Sequence, residues 1–204
     1  MAAGDPKTAN GRVADHPADP LFLERWSPRA FDASAIPEAD LLVMLEAARW
    51  APSAFNSQPW RFLYAGREDE CWSLFLDLLI EWNRDWARNA SFLLFLLSDT
   101  TPDSGKGPRP SRSHSFDAGA AWAQFALQAS LLGYHAHAMT GADFDRARIA
   151  LAVPERWCFE AAIAVGRRAS ADILPEKLRT RETPSGRAPV AAFATRGRFD
   201  GGSV

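Results

Sequence analysis

The run Ser91-Phe92-Leu93-Leu94-Phe95-Leu96-Leu97 constrains this chain more than any other segment. A strand with one solvated face alternates apolar and polar side chains, whereas a near-continuous apolar run predicts a strand covered on both faces. Three further strands are predicted around it. Arg61 to Ala65 reads as a strand ended by Gly66, His135 to Thr140 as a short strand ended by Gly141, and Glu160 to Val165 as a strand closed by Gly166.

Helical spacing fills the intervals. Residues 37–50 predict a helix starting at Pro37, with Glu38 and Asp40 at the positive end of its dipole and Leu41, Leu42, Leu45 and Ala48 as its apolar face. Glu68, Asp69 and Glu70 open a second helix reaching about Glu81. A third, long helix places Ala118, Ala121, Trp122, Phe125, Ala129 and Leu132 on one face and is capped by Gly133. A short helix spans about Asp143 to Leu151. Long βαβ repeats are few, which disfavours a doubly wound parallel sheet. Thr100 to His114, with three prolines and two glycines, reads as a mobile loop, one use of which would be a lid over a site.

With 204 residues the chain predicts one domain over 20–204, preceded by a loose polar tail at 1–19. The stretch beyond about Leu174 has little periodicity but carries apolar anchors at Val190, Phe193 and Phe199, and is expected to wrap a neighbour. A net charge of −2 gives no global attraction to phosphate polymers, so nucleic acid is not expected as a partner, and no membrane-spanning run occurs. Cys71 and Cys158 form neither a CxxC pair nor a Cys/His cluster, so no metal site or disulfide scaffold is expected. Met1 to Lys7 lack the basic and apolar regions of a secretory signal, and cytoplasmic residence is the default expectation.

Four short segments carry candidate chemistry. Arg25-Trp26-Ser27-Pro28-Arg29 sets two guanidinium forks and a hydroxyl within five residues, a donor set suited to phosphate oxygens; a pair of surface arginines beside a helix cap is the plainer alternative. In Ala51-Pro52-Ser53-Ala54-Phe55-Asn56-Ser57-Gln58-Pro59-Trp60, two prolines hold a non-helical loop whose amides offer donors and acceptors; the plainer alternative is an Asx-type turn. Thr140-Gly141 ends a strand where a glycine admits close approach of a flat ligand. Arg187 stands alone in Ser185-Gly186-Arg187, able to close a phosphate site or to face solvent. His114, His135 and His137 lack a nucleophile arrangement, and GxSxG, HExxH, Walker and GxGxxG motifs are all missing, so hydrolase, nucleotide-phosphate and Rossmann chemistry have no support.

The order of these pieces resembles the nitroreductase family over roughly residues 20 to 199. It runs from the Arg-x-Ser-x-Arg at 25–29 through the Asn-x-Gln-Pro-Trp at 56–60, Phe116 to Trp122, Gly133, Thr140-Gly141, Ala162 to Gly166, Leu174-Pro175 and the Arg187 turn. The resemblance implies an α+β fold with a central mixed sheet flanked by helices, in an intertwined homodimer with FMN at the subunit interface. By the same resemblance Arg25, Trp26, Ser27, Arg29 and Arg187 would hold the phosphate and ribityl end. Pro52, Ser53, Ala54 and Asn56 would come from the other subunit, Thr140 and Gly141 would face the ring, and Asn83 would meet its pyrimidine edge. No side chain is expected to be catalytic, because the cofactor carries the chemistry.

The implied activity is ping-pong transfer of a hydride from NAD(P)H to an electron-poor small molecule of nitroaromatic, quinone or enal type. A flavin-binding module for storage, sensing or delivery is the rival function. Two departures from the larger family members stand out: Ser185 replaces a lysine in the phosphate turn, and the 100–114 stretch is short and polar.

Overall fold

In a computed structural model, the structure describes residues 10–103, 105 and 107–199; residues 1–9, half of the expected tail, lie outside the described residues. The apolar run forms strand β2, Phe92–Asp99, with every residue buried. It lies second in a four-stranded sheet ordered β1-β2-β4-β3, between β1 (Trp60–Gly66) and β4 (Trp157–Gly166), with β3 (His135–Met139) on the far edge. Leu93, Phe95 and Leu97 enter one core and Phe92, Leu94 and Leu96 the other, the alternation that a pleated strand imposes.

One core packs against α2 (Glu38–Arg49) and α5 (His114–Leu131). The other is closed by α3 (Trp72–Asp77), α4 (Glu81–Ala87), α6 (Phe144–Ala150) and α7 (Glu176–Arg179). A five-residue helix, α1 (Pro20–Glu24), is capped by Asp19, whose side chain accepts from the Leu21 amide. The fold is thus α+β, with helices on both sheet faces. All three strand pairings are antiparallel, so among the described residues the sheet is antiparallel and not the mixed one expected from the resemblance.

Three local differences from the sequence reading have identifiable causes. Pro37 is the cap and not the first turn of α2, and its buried face is Leu41, Met44 and Ala48, leaving Leu42 half exposed. The helix expected over 68–81 is shorter, Trp72–Asp77, and α4 begins only at Glu81, because Leu79 and Ile80 leave the helix and the stretch hydrogen-bonds to 141–143: the Ile80 amide donates to the Gly141 carbonyl at 3.2 Å and the Asp143 amide to the Leu78 carbonyl at 2.8 Å. In β4 a bulge leaves Glu160 unpaired between Phe159 and Ala161, and its carboxylate accepts from the hydroxyls of Ser98 and Ser115 at the start of α5. Cys71 and Cys158 are free.

Candidate functional site

The segment after α1 is extended and alternates: Trp26, Pro28 and Ala30 are buried, while Arg25, Ser27 and Arg29 are half-buried on the other side. Pro28 enforces this by disfavouring helical backbone at Ser27. The alternation turns a five-residue motif into a row of two guanidiniums and a hydroxyl, with Arg25 Nη1 donating to Ser27 Oγ at 3.2 Å. Trp26 points the opposite way, edge-on to His135 and beneath the Arg168 guanidinium.

That row faces the edge strand β3. A groove of about 390 Å³ between Phe22, Arg25, Ser27, Trp122, Ala126 and Ala138 adjoins a second of about 420 Å³ lined by Arg29, Asn83, His137, Thr140 and Gly141, which also reaches Ala138. The two form one trough along β3, whose five residues span about 16 Å at the usual strand rise.

Three guanidiniums, those of Arg12, Arg25 and Arg187, gather at one end, with Glu24 beside Arg12. Burial pulls the Arg25 guanidinium below its ordinary pKa, and the neighbouring Arg12 and Arg187 guanidiniums pull it further. Arg12 is likewise lowered by burial and by Arg187, with Glu24 opposing. Arg29 is lowered by burial while Glu182 opposes. Glu182 holds the segment from behind: its Oε1 accepts from the Arg29 and Ala30 amides at 2.7 and 2.8 Å, and its Oε2 lies 4.0 Å from Arg29 Nη1.

At the other end, Asn83 Nδ2 donates to the Gly141 carbonyl at 2.9 Å. A Cβ on Gly141 would lie 2.3 Å from that Nδ2 and 2.8 Å from Ile80 Cδ1, so the glycine is demanded by these neighbours on its own chain. Asn83 is therefore brought to Thr140 and Gly141. Between the ends, His137 Nδ1 donates to the Pro28 carbonyl at 2.9 Å, and burial lowers the ring to about 4, so it is a neutral imidazole at physiological pH.

The loop carrying Pro52, Ser53, Ala54 and Asn56 lines neither groove. It is exposed, with Phe55, Asn56 and Gln58 all at positive φ and Phe55 91% exposed. Its shape is fixed from within by the Gln58 amide donating to Ser53 Oγ, and from α5 by the buried Asp117 carboxylate accepting from the Ala54 amide and Ser113 Oγ.

Two contributors escaped the sequence reading. Arg12, in the expected tail, makes three hydrogen bonds to carbonyls at the cationic end. Glu182 sits in an unpatterned charged stretch, and neither residue has a local signal that could have marked it. Residues 10–15 dock through Asn10, Arg12 and Asp15, the last accepting from the Val190 amide. Val190 and Phe193 of the C-terminal stretch are exposed within one chain.

A helix-flanked antiparallel sheet, with Arg25 and Arg29 lining grooves along its edge, defines an α+β protein. The family model described as "Nitroreductase family" matches residues 23–167, and the chain belongs to that family. A solved oxidoreductase containing FMN is 52% identical, with a TM-score of 0.91 over 94% of this chain and 98% of that one. A Desulfovibrio desulfuricans protein assigned as a nitroreductase and crystallised with FMN is 26% identical, with a TM-score of 0.69 over 89% of this chain and 99% of its own. Bacillus subtilis (strain 168) YfhC, assigned as an NAD(P)H nitroreductase, is 40% identical over 48 residues, which is 24% of this chain and only 25% of YfhC. No helix among the described residues is long and apolar enough to cross a membrane.

Proposed function

We propose that this chain is an FMN-dependent oxidoreductase that takes reducing equivalents from NAD(P)H and delivers them to an electron-poor small molecule by a ping-pong route. The observation that carries the reading is the trough: the half-buried Arg25 guanidinium, with Arg12 and the exposed Arg187 nearby, at one end and the group of Arg29, Asn83 and Gly141 at the other. The donor set fits the cofactor. Arg25, Ser27 and Arg187, with Arg29 alongside, would hold the phosphate, the backbone at Trp26 would add contacts near it, and Thr140, Gly141 and Asn83 would lie at the ring. Bound FMN supplies the redox chemistry, accepting a hydride and giving up its electrons to a second molecule at the same face.

The chain's own residues bind, orient and exclude water. The Asn83 amide keeps a carbonyl oxygen free as an acceptor while its Nδ2 is held by Gly141. His137, neutral and tied to Pro28, adds no charge to the middle of the trough. Pro52, Ser53, Ala54 and Asn56 line neither groove of their own chain, which supports the reading that a second copy supplies them in a homodimer.

Purified protein should be yellow, or become so with added FMN, and NADH or NADPH should bleach it without oxygen. A colourless protein that takes up no FMN would sink the reading. A stable flavin-loaded monomer, seen by mass in solution, would refute the shared site.

A further inference from the structure

Among the described residues, Arg12 bridges the two segments that meet at the cationic end, the end of α1 and the 185–187 turn. Its Nη1 donates to the Leu23 carbonyl at 2.9 Å and to the Arg25 carbonyl at 2.8 Å, and its Nε donates to the Ser185 carbonyl at 2.9 Å. Leu23 and Arg25 flank the end of α1, and Ser185 opens the turn whose Arg187 Nη1 folds back on the Ser185 and Gly186 carbonyls. A planar guanidinium with its donors in a fixed fork is suited to such a bridge; a lysine ammonium, a single point on a flexible stem, is not.

The convergence also gathers like charge, with Glu24 opposing it at Arg12. Desolvation depresses Arg12 and Arg25, and in addition Arg187 lowers Arg12 while Arg12 and Arg187 lower Arg25. Like charges gathered in a partly buried place are unfavourable by themselves and become favourable around a bound dianion. With Nε and Nη1 committed to carbonyls, Arg12 acts on such an anion through Arg25 and Arg187 rather than by replacing them.

We infer that Arg12 is a positioning residue that joins the α1 end to the 185–187 turn, setting Arg25 and Arg187 at the spacing that selects a phosphate-bearing flavin over the same flavin without phosphate. The inference rests on the flavin reading above. It assigns to the segment before α1 a part in ligand discrimination.

Titrating wild-type protein, Arg12→Ala and Arg12→Lys with FMN and, separately, with riboflavin tests it. Arg12→Ala should weaken FMN binding by about tenfold or more, the worth of one hydrogen bond to a charged group, while riboflavin binding stays within about twofold. A general folding defect would weaken both, and an unchanged FMN-to-riboflavin ratio overturns the inference. Arg12→Lys keeps the charge but not the fork and should recover only part of the loss; complete recovery overturns the positioning role. Wild-type protein that binds neither flavin would instead overturn the flavin reading itself.

Discussion

At the scale of single residues, the trough rests on groups whose neighbours leave them little freedom. Gly141→Ala would push a Cβ into Asn83 and Ile80, breaking the Asn83–Gly141 hydrogen bond; a loss of about 1–3 kcal/mol is expected from such overpacking, measurable by denaturant unfolding. Arg25→Ala with Arg29→Ala removes two charge-assisted contacts worth roughly 1.5–3 kcal/mol each, and retained FMN affinity in that variant would mean the phosphate lies elsewhere. His137 gives a pH prediction with a definite sign. Its folded value of about 4 lies below the ordinary 6.5, so as pH falls the unfolded chain takes up the proton first. The stability contributed by neutral His137 is full above about pH 6.5 and is lost on the way down to about 4, at up to about 1.4 kcal/mol per pH unit. His135, more open but lowered to a similar value by burial and by Arg168 and Arg25, adds in the same direction. Thermal melts at pH 7.5, 6 and 4.5 check this, and His137→Phe should flatten the profile.

At the scale of elements, what was legible and what was not follows from where the determining interaction lies. Arg25, Ser27 and Arg29 could be found because contiguous residues around a proline carry both their chemistry and their alternation. The β2 run was legible because burial on both faces is written into every position. The break between α3 and α4 was not, since the apolar pattern through Leu76, Leu78 and Leu79 continues while the interruption is imposed by backbone partners at 141–143. The bulge at Glu160 is invisible for the same reason, being a property of register against β2. The 51–60 loop could be recognised as non-helical from its prolines, but its anchor is Asp117, more than fifty residues away. Asp117→Ala should leave the Ala54 amide without its acceptor, a cost of about 1–3 kcal/mol confined to the loop, seen as faster hydrogen exchange and proteolysis at 52–58 with little change in the sheet.

At the scale of the whole molecule, two cores sharing one strand make the sheet the rigid reference for everything on its edge. Leu94 is fully buried, and Leu94→Ala should cost about 2–5 kcal/mol in urea unfolding. The trough lies on β3, at the opposite edge of the sheet from β1, into which the exposed 51–60 loop leads, and the homodimer proposed above would bring a second copy's loop to it. The hydrogen bonds that split α3 from α4 have a further consequence. Ile80 and Leu78 hydrogen-bond the backbone at 141 and 143, and Leu78 shares a core with Phe75 of α3, which ties Gly141 to the end of that helix. Anyone wishing to widen or narrow the ring end of this trough thus has a remote adjustment: conservative changes in α3 would shift Gly141 while every residue that lines the trough keeps its identity.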